Sequence, residues 1–455
     1  MIAPLTLSEF AAACDGQLVA AENAEEVSVT GLTLDSRSIK AGDLFVAVKG
    51  ARVDGHDFLG RARDAGAGAA LLQRPIDAGM PAVLARDTEG ALAAFGRLAR
   101  DQYQGVVIGI TGSAGKTSTK NLLAAILRRT GQVLATEGNR NNELGVPLTL
   151  SALDPSTEFA VLEMGAGKPG DIAWLQAIAR PTVAVLLNVA AAHLGRFGSL
   201  DAIAETKSAI FANLPETGLA VFPHDAAWAP SWREQAKPAR VLTFGSSAQA
   251  DYYPRDIVFS GFSGSRFTLQ TPEQALPVTL SLPGRAGVMN ALAAASVAHA
   301  LGVSPDTIIQ GLADVGPAPG RGSLHTLANR VSLIDDSYNA NPEAVRAAIE
   351  LLASHPGRRY LVLGGMLELG ADSEVLHAAV GDYARERGID ELWTVGEHAE
   401  PAGRHFGVGH RHFADIDSVA ANAGGFEADS AVLVKASRGE ALDVLVAHWL
   451  ESLSC

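Results

Sequence analysis

The chain has 455 residues, of which 47% are apolar and 19% are charged, and its formal net charge is -14 at pH 7. At a usual ~150 residues per domain, this length predicts about three domains with separate apolar cores. The acidic balance argues against a nucleic-acid-binding protein, because binding to a phosphate backbone requires a basic surface.

The cysteine content and the N-terminal segment indicate in which cellular compartment the protein is expected. Cys14 and Cys455 stand at opposite ends of the chain, which excludes a disulfide framework or a cysteine zinc cluster. The N-terminal segment lacks the basic start and continuous apolar core of an export signal. No stretch approaches the ~20 apolar residues needed to cross a bilayer. We therefore expect a cytoplasmic protein without membrane insertion.

The first hundred residues show a mixed pattern of predicted strands and helices. Short strand-like runs, such as residues 43–48, alternate with alanine-rich helical segments. This region ends just before a strongly apolar run that begins near residue 106. We therefore expect residues 1–100 to form a separate N-terminal domain.

Residues 106–120 predict a buried strand, a glycine-rich turn and the start of a helix, the arrangement that holds a nucleotide triphosphate. Gly112 and Gly115 would let backbone N–H groups approach phosphate oxygens at the helix N-terminus. Lys116 would reach the terminal phosphates, and the Thr117 hydroxyl would bind Mg2+. The apolar face of the helix would consist of Leu122, Leu123, Ile126 and Leu127.

This phosphate loop is a variant. Ile110 stands where the general pattern has a glycine. The alternative is a glycine-rich turn used only for packing, but that alternative explains neither Lys116 nor the Thr-Ser-Thr run at residues 117–119. The sequence therefore favours ATP binding.

Beyond the phosphate loop, apolar strands alternate with helices as far as residue 315, which predicts a mostly parallel sheet covered by helices. A loop rich in glycine and proline at residues 315–322 forms a plausible boundary. The alternation then resumes and predicts a smaller doubly wound domain over residues 316–455. The fold class is therefore α/β.

Polar residues follow two of the central strands, where open parallel sheets bind their ligands. Glu163 could hold Mg2+, since that cation prefers oxygen ligands. Asn188 ends the next strand and is followed by His193. Each has an alternative: a glutamate or asparagine after a strand is often a helix cap, and an isolated histidine is usually a surface group.

Two further loops are rich in hydrogen-bonding side chains. Residues 137–147 contain three asparagines, which could bind a polar substrate such as a sugar or phosphate, or simply form a turn. In residues 335–342, Asn341 and Pro342 predict the N-cap and first turn of a helix. Two acidic residues before them could bind a ribose hydroxyl or be merely exposed.

Taken together, these residues resemble the Mur ligase family, the ATP-dependent amide-forming enzymes that extend the peptide stem of the bacterial cell-wall precursor. The resemblance covers nearly the whole chain, and the family shares the variation at Ile110. The matching segments are residues 35–37, 42–50, 54–58, 111–117, 138–142, 145–147, 163–165, 188, 192–193, 206–207 and 320–321.

The resemblance implies three domains. Residues 1–100 would bind the UDP part of the substrate, residues 101–315 would form the central P-loop parallel-sheet ATPase domain, and residues 316–455 would form a Rossmann-like domain that brings the amine. The segments 364–370 and 434–438 are similar to the member type that adds a dipeptide. The implied substrates are UDP-N-acetylmuramoyl-tripeptide (UDP-MurNAc-tripeptide) and D-alanyl-D-alanine, and the implied state is a monomer.

The resemblance also implies roles for individual residues, including two bound Mg2+ ions. The residues expected in catalysis are Lys116, Lys207, His193 and Arg321. The residues expected to bind ATP are Gly112, Ser113, Ala114, Gly115, Lys116, Thr117, Ser118, Asn290, Asp336 and Asn339. The residues expected at the metal ions are Thr117, Glu163, Lys207, which matches a lysine that the family carbamylates with CO2, and His193. The residues expected to bind substrate are Ser36, Arg37, Asn139, Asn141, Asn142, Lys435, Ser437 and Arg438.

The chain departs from the family at Ala286 and Gly287, where His-Asn is common. Neither residue has a hydrogen-bonding side chain, so the adenine contact from that position is in doubt. The sequence does not indicate whether the third stem residue is meso-diaminopimelate or lysine.

Two other functions are alternatives to that of a Mur ligase. A folylpolyglutamate synthetase shares the central chemistry, but residues 35–37 and the asparagine-rich motifs fit it poorly. A nucleotide-driven switch that reads guanine would be expected to carry Asn-Lys-x-Asp, and no lysine here has that context. Phosphate release discriminates between these classes, because a ligase requires both of its other substrates.

Overall fold

The computed structural model describes residues 2–19, 24–50, 53–191, 194–422 and 425–453. They form an α/β structure in which three mainly parallel sheets follow one another along the chain. Among the described residues, no helix combines the length and apolar character that a membrane crossing requires.

The N-terminal part is a small sheet flanked by helices. Its strands are β1 (Leu5–Thr6), β2 (Gln17–Val19), β3 (Ser28–Val29), β4 (Gly31–Thr33), β5 (Asp43–Val46), β6 (Ala69–Leu72) and β7 (Ala82–Leu84). Its helices are α1 (Leu7–Ala13), α2 (Leu59–Asp64) and α3 (Thr88–Asp101). Five of these strands form a sheet in the order β2-β7-β6-β5-β4, parallel except for β2, and β1 pairs with β3 in a separate antiparallel ribbon. The rings of Phe10 and Phe95 pack edge to face with their centroids 5.3 Å apart.

The central part contains the predicted parallel sheet. Its strands are β8 (Val106–Thr111), β9 (Val133–Ala135), β10 (Phe159–Glu163), β11 (Val183–Leu186), β12 (Leu219–Pro223) and β13 (Arg240–Phe244). Its helices are α4 (Lys116–Leu127), α5 (Gly145–Ser151), α6 (Asp171–Ala179), α7 (Leu194–Phe197), α8 (Leu200–Ser208) and α9 (Ala229–Gln235). The order β13-β12-β11-β8-β10-β9 is parallel throughout, so the phosphate loop leaves a middle strand.

An antiparallel sheet follows, which was not predicted from the sequence. It consists of β14 (Tyr253–Phe259), β15 (Ser265–Gln270) and β16 (Ala275–Leu280). Alternate residues of β16, Leu276, Val278 and Leu280, are buried in the same core as α4. The helices α10 (Gly284–Ala300) and α11 (Pro305–Ala313) complete this part and pack on α4.

The C-terminal part is the predicted doubly covered sheet with one antiparallel edge strand. Its strands are β17 (Ser323–Leu327), β18 (Val331–Asp336), β19 (Arg359–Leu363), β20 (Glu391–Val395), β21 (His410–Phe413) and β22 (Ala431–Lys435). Its helices are α12 (Pro342–Ala353), α13 (Ser373–Glu386), α14 (Glu400–Phe406), α15 (Ile416–Ala420) and α16 (Leu442–Ser452). The order is β17-β18-β22-β19-β20-β21, with β17 antiparallel, and apolar clusters cover both faces.

Candidate active site

The phosphate loop, residues 112–115, connects β8 to α4 as predicted. Gly115 is the N-cap of α4 and has a φ of +84°, a left-handed conformation that favours glycine. A Cβ atom at this position would collide with the side-chain amide of Asn290, which is itself buried on α10. Lys116 donates a hydrogen bond to the Gly112 carbonyl at 2.6 Å. Glycine is therefore required where the helix begins, both by backbone geometry and by space.

The same loop is clamped by the segment that follows β11. The Asn188 side chain accepts from Ala114 N–H at 2.9 Å and donates to the Ala114 carbonyl at 3.0 Å. Ser113 donates from its backbone to the Asn188 carbonyl and from its hydroxyl to the Ala190 carbonyl, both at 3.1 Å. The loop is thus held by hydrogen bonds from a neighbouring strand end, and Asn188 acts on it as a support.

Thr117 and Glu163 come together although 46 positions separate them. The Thr117 hydroxyl donates to Glu163 Oε2 at 2.7 Å, and Asn141 donates to Glu163 Oε1 at 2.8 Å. The backbone N–H of Glu163 donates to the Thr136 hydroxyl at 2.9 Å. Only 2% of the Glu163 surface is exposed, so this carboxylate depends on these polar partners.

This oxygen-rich pair fits Mg2+, which prefers hard oxygen ligands and binds through few carboxylates together with substrate phosphates. Among the described residues, no group of three or more His, Cys, Asp or Glu side chains is arranged to hold a metal ion. Thr117 and Glu163 could supply part of the coordination of Mg2+, and phosphate oxygens of a bound nucleotide could supply the rest. His193, the other predicted ligand, lies outside the described residues.

Lys207 lies on α8 and is buried, with 3% of its surface exposed. Burial, and to a lesser extent the positive charge of Lys116, lower its pKa to about 7, although the carboxylate of Asp171 opposes the shift. Burial also lowers the pKa of Lys116, while the carboxylate of Glu163 opposes that effect. The two predicted lysines are therefore electrostatic neighbours in one water-poor site.

Lys120 also belongs to this site, although the sequence analysis did not single it out. It lies one helical turn after Lys116 and is buried, and its ammonium donates to the Thr136 carbonyl at 2.6 Å. Burial lowers its pKa, and Glu163 opposes the shift. Its position four residues after Lys116 on the same helix face is the signal by which it could have been found.

The asparagine-rich loop lies where the N-terminal and central parts meet, because α5 contacts β4 and α3. Asn141 contacts Glu163, as described above. Asn142 accepts from Gly145 N–H at 3.0 Å, so its side chain supports the start of α5, and Asn139 is exposed.

Ser36 and Arg37 follow β4 on the other side of that junction. Ser36 is buried, whereas the Arg37 guanidinium is exposed and pairs with Asp35 at 2.7 Å. Hydrogen bonds from Arg37 lower the pKa of Asp35 to about 2. These residues and the asparagine-rich loop lie on neighbouring elements.

Asp336 and Lys435 form an ion pair at the ends of adjacent strands, in which Lys435 is buried and Asp336 is half-buried. The Lys435 ammonium lies 2.6 Å from Asp336 Oδ2 and donates to the Asn339 carbonyl at 2.9 Å. Burial raises the pKa of Asp336, and Lys435 opposes the shift. The register of β18 and β22 places the two residues opposite each other. Lys435 is thus engaged within the domain.

Arg321 extends from the linker between the central and C-terminal parts. Its guanidinium lies 4.1 Å from the ring centroid of Tyr338, and Arg438 lies 5.4 Å from the same ring. The linker is anchored because Gly320 N–H donates to Asp335 Oδ2 at 3.0 Å. The positive charge of Arg321 also contributes, as the smallest of the causes, to lowering the pKa of Lys116.

The start of α12, the end of β22 and the first turns of α4 contain the remaining residues that the sequence singled out. Asn341 caps α12 by accepting from Ala344 N–H at 2.8 Å, which confirms the predicted cap. Ser437 donates to the Ala340 carbonyl at 3.2 Å, and Ser118 lies half-buried in the first turn of α4. The apolar face predicted for α4 is buried in full and consists of Leu122, Leu123, Ile126 and Leu127.

At one of the two positions where the chain departs from the family, Gly287, the space is restricted. A Cβ atom on Gly287 would lie 2.7 Å from the Leu282 carbonyl oxygen, so the start of α10 is too crowded for a side chain there. The polar side chain that α10 offers near the phosphate loop is instead Asn290, against Gly115.

Three family models match the chain in sequence. They are the Mur ligase family catalytic domain at residues 28–103, the Mur ligase middle domain at residues 110–298, and the Mur ligase glutamate ligase domain at residues 320–438. The UDP-N-acetylmuramoyl-tripeptide--D-alanyl-D-alanine ligase of Escherichia coli K12 is 40% identical over 454 residues, which cover 99% of each chain.

Solved structures are similar over the same length. A crystal structure of MurF from Acinetobacter baumannii has a TM-score of 0.89 and 33% identity, covering 99% of this chain and 100% of that one. MurF ligase from Thermotoga maritima, in complex with ADP, has a TM-score of 0.82 and 33% identity, covering 93% and 97%.

Proposed function

The chain belongs to the Mur ligase family, and from this premise we propose how its residues carry out the family's reaction. The protein is an ATP-dependent ligase that joins D-alanyl-D-alanine to UDP-N-acetylmuramoyl-tripeptide in peptidoglycan synthesis and releases ADP and phosphate. The observation that carries this assignment is the 40% identity with a ligase of that name over 99% of both chains.

The chemistry starts from a poor acyl donor. A carboxylate resists attack by an amine, so the tripeptide carboxylate first takes the γ-phosphoryl group of ATP and becomes an acyl phosphate. The amine of D-alanyl-D-alanine then attacks the acyl carbon, and phosphate leaves as the amide forms. Lys116, at the start of α4, would stabilise the charge on the phosphates, and such electrostatic stabilisation is usually the largest catalytic contribution.

Two Mg2+ ions are proposed at the site. Thr117 and Glu163 would hold one, and His193 and Lys207 would serve the other. When bound, the ions offset the repulsion between the substrate carboxylate and the triphosphate. The 2.7 Å contact between the Thr117 hydroxyl and Glu163 supports the first assignment, because it brings two hard oxygen ligands together beside the phosphate loop.

Lys207 is proposed to carry a carbamate. Its neutral amine would attack CO2, form a nitrogen–carbon bond and release a proton, which converts a cation into an anion. A pKa of about 7 supports this proposal, because a substantial fraction of the amine is then neutral near pH 7. The resulting anion would also face the ammonium of Lys116.

ATP would lie between the central and C-terminal domains. The loop 112–118 would bind the phosphates, Asn290 and Asn339 would lie near the adenine, and Asp336 would contact the ribose. Arg321 would approach the phosphates from the linker. Its electrostatic effect on Lys116 supports this last role.

The two other substrates would occupy the flanking domains. The UDP part would bind to residues 1–100, where Ser36 and Arg37 would contact the substrate. Asn139, Asn141 and Asn142 would contact the same substrate from the central domain. D-alanyl-D-alanine would bind to residues 316–455 through Lys435, Ser437 and Arg438, with bidentate pairing of arginine to the carboxylate. A cleft of about 330 Å³ lined by Ser437 and Arg438 supports this placement. Transfer of the γ-phosphoryl group from ATP to the tripeptide carboxylate would take place on residues 101–315.

The assay that tests this function measures phosphate release and peptide formation in parallel. The purified protein is mixed with ATP, Mg2+, D-alanyl-D-alanine and UDP-N-acetylmuramoyl-tripeptides that carry meso-diaminopimelate or lysine, and the products are identified by mass spectrometry. We expect phosphate release only when both acyl acceptor and donor are present, in equal amount to the new peptide. Nucleotide hydrolysis without either substrate would instead support a nucleotide-driven switch.

A further inference from the structure

A loop of the C-terminal domain, residues 364–370, touches the central domain beside the proposed site. The carbonyl of Glu368 accepts a hydrogen bond from Gly195 N–H at 3.0 Å, and its carboxylate lies 3.2 Å from the guanidinium of Arg196. Both partners lie in α7, which starts immediately after His193 in the chain. The contact therefore links the domain proposed to hold the dipeptide with the segment that bears a proposed metal ligand.

Glycines on both sides allow the two backbones to meet. A Cβ atom on Gly195 would lie 2.9 Å from the backbone nitrogen of Gly370 and 3.0 Å from its Cα. The three atoms nearest to such a Cβ all belong to the loop 364–370. A methyl group added at Gly195 would thus act on the contact between the domains.

The loop is supported from inside its own domain. His377 is fully buried, and its Nε2 accepts from Met366 N–H at 2.9 Å while its Nδ1 donates to the Ser373 carbonyl at 2.7 Å. This pattern requires the neutral tautomer with the proton on Nδ1. Leu367 N–H donates to the Ser437 hydroxyl at 2.8 Å, which ties the loop to the end of β22.

The supported loop holds Glu368 in an unfavourable conformation. Its φ is +64°, in the left-handed region that residues with side chains adopt only at a cost. In this conformation, both the carbonyl and the carboxylate of Glu368 reach α7. The cleft of about 330 Å³ lies alongside and is lined by Ala191 from the central domain and by Leu367, Glu368 and Arg438 from the C-terminal domain.

We propose that Gly195 and Glu368 are positioning residues, whose contact sets the dipeptide amine against the acyl phosphate during ligation. The inference rests on the proposed function. In the step concerned, the amine nitrogen forms a bond to the acyl carbon, the bond from that carbon to the phosphate oxygen breaks, phosphate leaves with the electron pair, and the amine loses a proton to solvent. If the contact between the two domains is loose, water attacks the acyl phosphate in place of the amine, and phosphate is released without formation of peptide.

Gly195→Ala in the full-length protein tests the proposal. With ATP, Mg2+ and both other substrates, we expect kcat for peptide formation to fall about tenfold or more, because a displaced reactant loses alignment. We also expect the ratio of phosphate to peptide to rise above that of the unmodified protein. The matched control is Gly60→Ala on α2, where a Cβ would meet nothing within 4 Å, and it should leave both values unchanged.

A second set of variants covers the case in which Gly195→Ala fails to fold. Glu368→Gln and Arg196→Gln should each raise the phosphate-to-peptide ratio, and the double variant should show less than the sum of their effects. The control pair is Glu374→Gln with Arg404→Gln, whose ion pair at 3.1 Å lies within the C-terminal domain.

Two results would overturn the inference while leaving the proposed function intact. One is an unchanged kcat and ratio in Gly195→Ala, and the other is strict additivity of Glu368→Gln and Arg196→Gln. Absence of peptide from the unmodified protein would instead refute the proposed function itself.

Discussion

At the residue scale, the main feature of the candidate site is that several of its ionisable side chains are buried away from water. Lys207, Lys120 and Glu163 are all buried, and each is stabilised or shifted by groups that lie far away in the sequence. A buried ammonium loses part of its preference for the charged form, so its chemistry differs from that of an exposed lysine. The lowered pKa of Lys207 is thus consistent with the proposed reaction of its amine with CO2.

Lys116→Ala should lower the rate of ligation at least about 100-fold while leaving the fold intact. The ammonium is bonded to a loop carbonyl in this structure and would turn to the phosphates when ATP binds. Removing one such electrostatic group typically lowers kcat by about 100- to 1,000-fold. Peptide formation by mass spectrometry and thermal unfolding by circular dichroism check the two parts. Lys237→Ala, at an exposed ion pair, serves as the control, and full activity of Lys116→Ala would refute the phosphate role.

Carbamylation of Lys207 should depend on pH. Only the neutral amine reacts with CO2, and with a folded pKa of about 7 the neutral fraction rises as the pH increases from 6 to 8. At limiting bicarbonate, the carbamate signal in 13C NMR and the ligation rate should therefore increase together over this range. Lys207→Ala should lack the signal. A carbamate signal that is equally strong at pH 6 and pH 8 would contradict the shifted pKa.

At the element scale, the start of α4 combines two constraints that are usually separate. The N-cap residue, Gly115, has a backbone conformation that favours glycine. The side chain of Asn290, from the neighbouring helix α10, occupies the space that a Cβ atom at this position would need. The segment after β11 adds hydrogen bonds from Asn188 to the other side of the loop. A loop held on both sides needs little rearrangement to bind phosphate, which is the advantage of preorganisation.

Gly115→Ala should be more damaging than the corresponding change at another helix start. Gly170 is the N-cap of α6 and has a similar φ of +89°, but a Cβ there would meet nothing within 4 Å. Gly170→Ala should cost about 1–2 kcal/mol of stability from backbone strain alone. Gly115→Ala adds the collision with Asn290 and should also raise KM for ATP. Urea unfolding measures the loss of stability in each variant, and ATP titration of the ligation rate measures KM. An equal loss of stability in the two variants, with an unchanged KM for ATP in Gly115→Ala, would contradict the prediction.

At the scale of the whole molecule, three sheets are connected through specific contacts between their loops and helices. The N-terminal part meets the central part through α3 and α5, and the C-terminal part meets it through the linker at Arg321 and the loop containing Glu368. Interfaces between domains of one chain commonly permit relative motion. Of the proposed substrates, ATP would lie at the junction between the central and C-terminal parts.

The protein should be a monomer in solution. Among the residues that the structure describes, the exposed large apolar side chains, such as Val53, Val258, Val375 and Val408, come from separate segments of the chain. Side chains exposed singly do not supply the contiguous apolar surface of a stable homodimer. Multi-angle light scattering should therefore give a mass near 47.2 kDa. A mass near twice that value, independent of dilution, would contradict the prediction.

The sequence by itself determined the features that depend on near neighbours. The strand, turn and helix around Lys116, the apolar face of α4 and the cap at Asn341 all follow from spacings of a few residues, and the structure contains each of them. Motif resemblance added the family, because the matching segments are distributed over nearly the whole chain. The antiparallel sheet β14–β16 escaped prediction because its strands were read as part of an alternating α/β pattern.

Only the tertiary structure decided which of these groups are charged, paired or crowded. The pKa of Lys207, the ion pair of Asp336 with Lys435 and the contact of Glu368 with α7 each join segments that are distant in the chain. The physical reason is that secondary structure is set mainly by local geometry, whereas desolvation and electrostatic interactions depend on everything packed around a group, whatever its position in the sequence.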